Sequence, residues 1–155
     1  MPDNEVAATI AEGLETLYFK TYMHNVTELP LLLWDYTIAH AVLQPLATLM
    51  GSPLHRLRVS RYAKEFISML LQEATLLVEA IEKRRLRDFN EAIQELLNVK
   101  GCYPRMLNDL ESRLPTEVEY IITPIIREAV KAGVHVAYFD SVLLLVKTLE
   151  EVLTS

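Results

Sequence analysis

The longest apolar run in the chain is Leu31 to Met50, LLLWDYTIAHAVLQPLATLM, long enough for about five helical turns. Its polar interruptions are regular. Tyr36, His40, Gln44 and Thr48 stand four residues apart, on one slowly drifting face of a helix. A helix that is apolar on its other sides lies inside a domain. A polar stripe there must meet water, another polar side chain or a ligand. Pro30 fits the first turn, where its missing N–H costs nothing, and Gly51-Ser52-Pro53 ends the pattern.

The same periodicity predicts further helices. Val6, Ile10, Leu14 and Leu17 mark one over residues 5–19, with Asn4 as a cap. Tyr18 to Thr27 reads as extended or irregular. Ala63, Phe66, Ile67, Leu70, Leu71, Ala74, Leu77, Val78 and Ile81 give the clearest amphipathic helix, Val59 to Lys83, with Glu73 on its polar side. Shorter helices follow at Phe89–Val99 and Met106–Ser112. Thr116-Glu117-Val118-Glu119 reads as a capping box that starts a helix ending at Gly133. Asp140 reads as the N-cap of the last helix, whose buried side is Val142, Leu145, Val146, Leu149 and Val152–Leu153.

At 155 residues the chain fits one domain. It has few glycines and abundant Leu, Ala and Glu, which favours helix over sheet. The expected fold is all-α, a compact helical bundle. The net charge of −6 argues against nucleic acid as a partner. The local cluster Lys83-Arg84-Arg85-Leu86-Arg87 reads as a helix C-terminus followed by an exposed connection. Cys102 is the single cysteine, so no intrachain disulfide forms, which fits a reducing, cytoplasmic setting. The acidic start MPDNEVAATIAEG does not read as a signal peptide. Asp35, His40, Gln44 and Pro45 interrupt the long apolar run, so no membrane span is expected. The chain has no G-x-G-x-x-G, no P-loop and no G-x-S-x-G. Its four histidines lack metal-site spacing, and no metal is expected.

One stretch carries a resemblance. Tyr103-Pro104-Arg105-Met106-Leu107-Asn108-Asp109-Leu110-Glu111, followed by Pro115-Thr116-Glu117-Val118-Glu119-Tyr120-Ile121, resembles the C-terminal helical domain of ketopantoate reductases. That family has a similar S-M-L-Q-D followed by T-E-I-D-Y-I. Ala132-Gly133-Val134 and Leu144-Leu145-Val146-Lys147 fit its ending. Leu33-Trp34 and Gln44-Pro45-Leu46-Ala47 with Gly51 look like a degraded form of its W-x-K-L-x-x-N-x-x-x-N-P-L-T-A-L-x-G. The resemblance implies an all-α domain like the C-terminal domain of 6-phosphogluconate dehydrogenases, here residues 26–155 after a lead segment, 1–25. In the family an N-terminal Rossmann domain binds NADPH, and substrate lies between the two domains. That domain is missing here, so NADPH is expected only through a partner subunit.

The resemblance also nominates a site. It places Tyr36 where the family has its lysine acid, and His40 and Gln44 on its two asparagines. Arg105 stands where a small polar residue is usual, and Glu117 is the glutamate that contacts substrate in the family. The implied substrate-binding set is therefore Tyr36, His40, Gln44, Arg105 and Glu117, with no catalytic residue assigned. Each also has a structural reading. Glu117 sits at a helix start, where the dipole favours a carboxylate. Tyr36 fits as a core aromatic. His40 and Gln44 can satisfy each other or nearby carbonyls, and Arg105 can pair with Asp109 at the surface. Two functions stay open. One is a substrate-binding domain, inactive alone or completed by a separate Rossmann-fold subunit. The other is a non-enzymatic interaction module that dimerises through surface left bare.

Overall fold

The computed structural model describes residues 3–17, 29–82 and 90–154. Their elements are α1 (Asp3–Thr16), α2 (Leu29–Leu49), a 3₁₀ helix (Leu54–Val59), α3 (Arg61–Glu82), α4 (Asn90–Asn98), α5 (Arg105–Glu111), α6 (Val118–Ala132) and α7 (Ala137–Thr154), with no strand among the described residues. The all-α expectation holds. The expectations for Tyr18–Thr27 and for the Lys83–Arg87 cluster fall outside the described residues.

The chain divides into two compact units, Met1–Leu33 and Trp34–Ser155. The first contains α1. That helix already includes Asp3, so Asn4 lies inside it rather than capping it. Val6, Ile10, Leu14 and Leu17 share one side of the segment and are exposed.

The second unit holds the core. α2 contributes Ile38, Val42, Leu43 and Leu46; α3 adds Leu70, Ala74, Leu77 and Val78; α6 and α7 add Ile122, Ile125, Phe139, Val142 and Val146. These are the positions that helical spacing puts on one stripe. α2 and α3 are also tied by the Trp34 indole N–H, which donates to Glu82 Oε1 at 3.2 Å. α6 stops at Gly133, whose φ of +68° suits a residue without a Cβ. Gly133 N–H bonds to Val130 O and Val134 N–H to Ala129 O, closing a Schellman turn. The chain then reverses into α7, which packs along α6.

Three expectations for this unit need correction. Asp140 is not the N-cap of α7, because the helix begins at Ala137. Glu73 of α3 caps it instead. The carboxylate accepts from Tyr138 N–H at 2.9 and 3.0 Å and from Phe139 N–H at 3.2 Å. Glu73 is accordingly buried rather than on a solvated face. The charge meets the positive end of the helix, and that compensates its removal from water.

The capping box at α6 does not form. Thr116 Oγ1 accepts from Val118 N–H, but Glu119 reaches across toward Lys147 Nζ, at 3.8 Å. Thr116 turns its N–H and hydroxyl to Glu150 Oε1, at 2.8 and 2.6 Å, and Lys147 Nζ lies 2.6 Å from Glu150 Oε2. The third correction is on α7. Val142 and Val146 are fully buried, whereas Leu145, Val152 and Leu153 are exposed. Apolar residues occupy more of this helix than the core can cover.

Candidate functional site

The α2 stripe splits along its length. Tyr36 is exposed rather than a core aromatic, at 66%. His40 is half-buried and packs on Tyr36, ring centroids 4.3 Å apart. Gln44 is half-buried one turn further on. Thr48, the most buried of the four, is satisfied locally, donating to Gln44 O at 2.8 Å. The middle pair is not satisfied. His40 Nε2 and Gln44 Oε1 are buried and have no hydrogen-bond partner among the described residues. They do not satisfy each other, as one sequence reading supposed. Burial lowers the His40 pKa, which favours the neutral ring. A neutral imidazole has one donor and one acceptor nitrogen, and a side-chain amide oxygen is an acceptor. Together they can hold a group that both donates and accepts, such as a hydroxyl.

Arg105, Asp109 and Glu117 form the second cluster. Glu117 is half-buried just before α6, and Arg105 and Asp109 lie one turn apart on α5. The Glu117 pKa is raised, first by burial and then by hydrogen bonding and like charge from Asp109; its own backbone N–H and the Arg105 guanidinium pull the other way. Among the described residues Arg105 makes no ion pair with Asp109; its charge acts on Glu117. The arrangement is a carboxyl pair beside an exposed guanidinium, a group suited to a carboxylate. Asp109 belongs to it, although sequence reasoning cast Asp109 only as a surface partner for Arg105.

The two clusters are each brought together, and no hydrogen bond or ring contact among the described residues joins one to the other. A further concavity lies elsewhere. A groove of about 950 Å³ runs between the 3₁₀ helix, α3 and α4, with Ile67, Leu71, Ile93 and Leu97 on its walls and Arg58 and Lys64 among its polar lining. None of the five sequence-nominated residues lines it. Among the described residues no group of three or more His, Cys, Asp and Glu side chains could hold a metal. No described helix is long and apolar enough to cross a membrane.

Residues 29–150 match the family model for the ketopantoate reductase PanE/ApbA C terminal. The chain belongs to the ketopantoate reductase family. The match takes in the α2 stripe and all of α3 to α6. The bundle is similar to a PanE/ApbA family ketopantoate reductase from Ralstonia eutropha JMP134, with a TM-score of 0.72 and 18% identity over 86% of this chain and 44% of that one. It is similar also to an Enterococcus faecalis protein described as a putative 2-dehydropantoate 2-reductase. There the TM-score is 0.69 and the identity 18%, over 98% of this chain and 50% of that one. A D-mandelate dehydrogenase in ternary complex with NADH and anilino(oxo)acetate matches with a TM-score of 0.73 and 22% identity, over 96% of this chain and 82% of that one. At such identities the likeness is one of fold. The chain spans half or less of the Ralstonia and Enterococcus proteins. No curated protein matches.

Proposed function

We propose that this chain is the substrate-facing helical half of a ketopantoate-reductase-like oxidoreductase, inactive alone and completed by a separate NADPH-binding subunit. Its ligand is a small 2-oxo or hydroxy acid. The observation that carries this reading is the pair of buried, unpartnered atoms on α2, His40 Nε2 and Gln44 Oε1. Buried polar atoms without a partner are uncommon in native folds and invite one from outside the chain. A ligand hydroxyl donates to Gln44 Oε1 while it shares a hydrogen bond with His40 Nε2. The half-buried Glu117 and the exposed Arg105 supply the carboxylate-recognition side of the same proposal.

Ketone reduction also needs a hydride source and a proton donor at the carbonyl oxygen. The resemblance puts Tyr36, not a lysine, at the position of the family's acid. The sequence contains no nucleotide-binding fingerprint. The proposal therefore leaves the isolated chain a binder and not a catalyst. Its single cysteine, which can form no intrachain disulfide, favours a cytoplasmic setting in this proposal.

The test is binding of ketopantoate and related 2-oxo and 2-hydroxy acids by calorimetry. Binding by the parent chain that disappears in His40→Ala and Glu117→Ala supports the ligand site. No binding to any of them would sink it. NADPH oxidation by the purified chain with 2-oxo acids is expected to stay at background; turnover above background would overturn the inactive reading.

A second reading is a homodimer or interaction module. It is favoured by exposed apolar residues on α7, where Leu144, Leu145, Val152 and Leu153 share one helix. Light scattering of the purified chain distinguishes a dimer from a monomer.

A further inference from the structure

The groove between the 3₁₀ helix, α3 and α4 lies wholly within the second unit and shares no residue with either cluster described above. Its floor is apolar and nearly closed to solvent, with Ile67 and Leu71 from α3 and Ile93 and Leu97 from α4. Its volume of about 950 Å³ suits a small molecule, and such sites are apolar with a few placed polar groups. α3 borders it from Lys64 to Leu76, a length of about 18 Å at the helical rise per residue.

The charge in the groove is one-sided. Acidic residues outnumber basic ones in the chain, 21 to 15, yet its charged lining is Arg58 and Lys64, with no described carboxylate beside them. Neither cation makes an ion pair among the described residues. Both stand at one end. Lys64 N–H donates to Ser60 O at 3.2 Å, two residues on from Arg58. The Arg58 guanidinium donates to Asn98 Oδ1 at 3.3 Å, at the last residue of α4. Lys64 lies in the first turn of α3, where the helix dipole disfavours a cation, so its charge does not serve the helix. The opposite end, at Thr75 and Leu76, is uncharged, and Leu76 is an exposed apolar side chain. A trough that is cationic at one end and apolar along its floor is complementary to an anion with an apolar tail.

We propose that this groove binds an anionic amphiphile of the fatty-acid class, a single carboxylate on an unbranched apolar tail. The carboxylate pairs with Arg58 and Lys64, and the tail lies over Ile67, Leu71, Ile93 and Leu97 toward Leu76. Burial of the tail supplies most of the affinity. The cations orient the ligand and select an anion over a cation of the same length. None of the residues nominated for 2-oxo acids takes part, so the site stands or falls independently of that reading.

The test is calorimetry of the full chain with three probes below their micelle-forming concentrations: dodecanoate, dodecyltrimethylammonium and acetate. Dodecanoate is expected to bind saturably, one per chain, and to raise the melting temperature, as a ligand of the folded state does. The other two are expected to bind at least about tenfold more weakly, one lacking the charge and the other the tail. Arg58→Gln with Lys64→Gln, both at exposed positions, should weaken dodecanoate about tenfold or more. Arg127→Gln with Lys131→Gln, which removes the same charge from exposed positions of α6, should leave it unchanged. So should His40→Leu with Gln44→Leu. No binding of dodecanoate, or a lowered melting temperature in its presence, overturns the proposal. Equal binding of the dodecyl cation shows that the tail alone decides and overturns the anionic occupant. Equal weakening by the α6 pair assigns the effect to overall charge, and loss only in the α2 pair moves the ligand to α2; either result overturns the groove as the site.

Discussion

The polar groups buried around α7 and those buried along α2 differ in one respect. Glu73 accepts from two backbone N–H groups at the start of α7. Glu150 receives a backbone N–H, a hydroxyl and an ammonium near its end. Both carboxylates are nearly inaccessible, at 8% and 6%, and the chain itself supplies their partners. On α2, His40 Nε2 and Gln44 Oε1 are buried with none among the described residues. A buried polar group answered from within the fold contributes to the fold. One left unanswered weakens the fold, so its presence calls for an explanation outside stability.

The comparison predicts opposite signs for substitution in the two regions. The largest effect is expected at Glu73. Glu73→Ala leaves the Tyr138 and Phe139 N–H groups unanswered at a buried helix start and removes the anion from the helix dipole. A loss of about 3 kcal/mol is expected, read as a lower urea midpoint with an unchanged slope. Glu73→Gln keeps one acceptor oxygen and should lose less. A Glu73→Ala protein as stable as the parent would show that this carboxylate is not structural.

Glu150 should come next, at about 2 kcal/mol for Glu150→Ala, and its effect should depend on pH. Burial opposes its ionisation, but hydrogen bonds from Lys147 and from the Thr116 hydroxyl and N–H outweigh that and hold the pKa below its usual value. A carboxyl with a depressed pKa adds stability above its unfolded value of 4.5 and loses it as pH falls through the folded value. The gap between parent and Glu150→Gln should therefore close in acid. Glu117 has the opposite sign. Its folded pKa is raised by burial and by Asp109, so the folded state takes up a proton first and gains stability as pH falls toward the unfolded value. Glu117→Gln should be more stable than the parent at neutral pH, with the difference fading in acid. Melting temperatures across the acid range check both trends. Parallel pH dependence in the two variants would remove the distinction drawn between these carboxyls.

The helices were legible because their signals are local. The 3.6-residue stripe of α3 appears in the structure with Ala63, Ile67, Leu70, Leu71, Ala74, Leu77 and Val78 buried, and Gly133 ends α6 as its missing Cβ requires. What failed depended on distant partners. Glu73 sits 65 residues from Tyr138, and Glu150 sits 34 from Thr116. Spacing along a helix cannot report a partner on another helix, so local capping rules gave Asp140 and Glu119 roles that Glu73 and Glu150 take. α7 misled for another reason. Leu143, Leu144, Leu145 and Val146 are consecutive, so apolar character does not select one side, and Leu145 proved exposed. The stripe on α2 was legible as a position, while its satisfaction was not. Tyr36 and Thr48 look alike in the spacing but end at opposite extremes of exposure.

The smallest effect on stability is expected on α2, and it bears most directly on function. His40→Leu with Gln44→Leu replaces two unanswered polar groups by apolar ones of similar size. Removing an unsatisfied buried group is neutral or favourable, so a gain of up to about 1 kcal/mol is expected. The same double variant should lose binding of 2-oxo and 2-hydroxy acids. Stability rising while binding falls is the outcome that separates a ligand site from a structural pair. A structural pair would lose stability in the double variant and leave ligand affinity where it was. A gain in stability with binding unchanged would move the site off α2 and leave Arg105, Asp109 and Glu117 as the cluster to dissect.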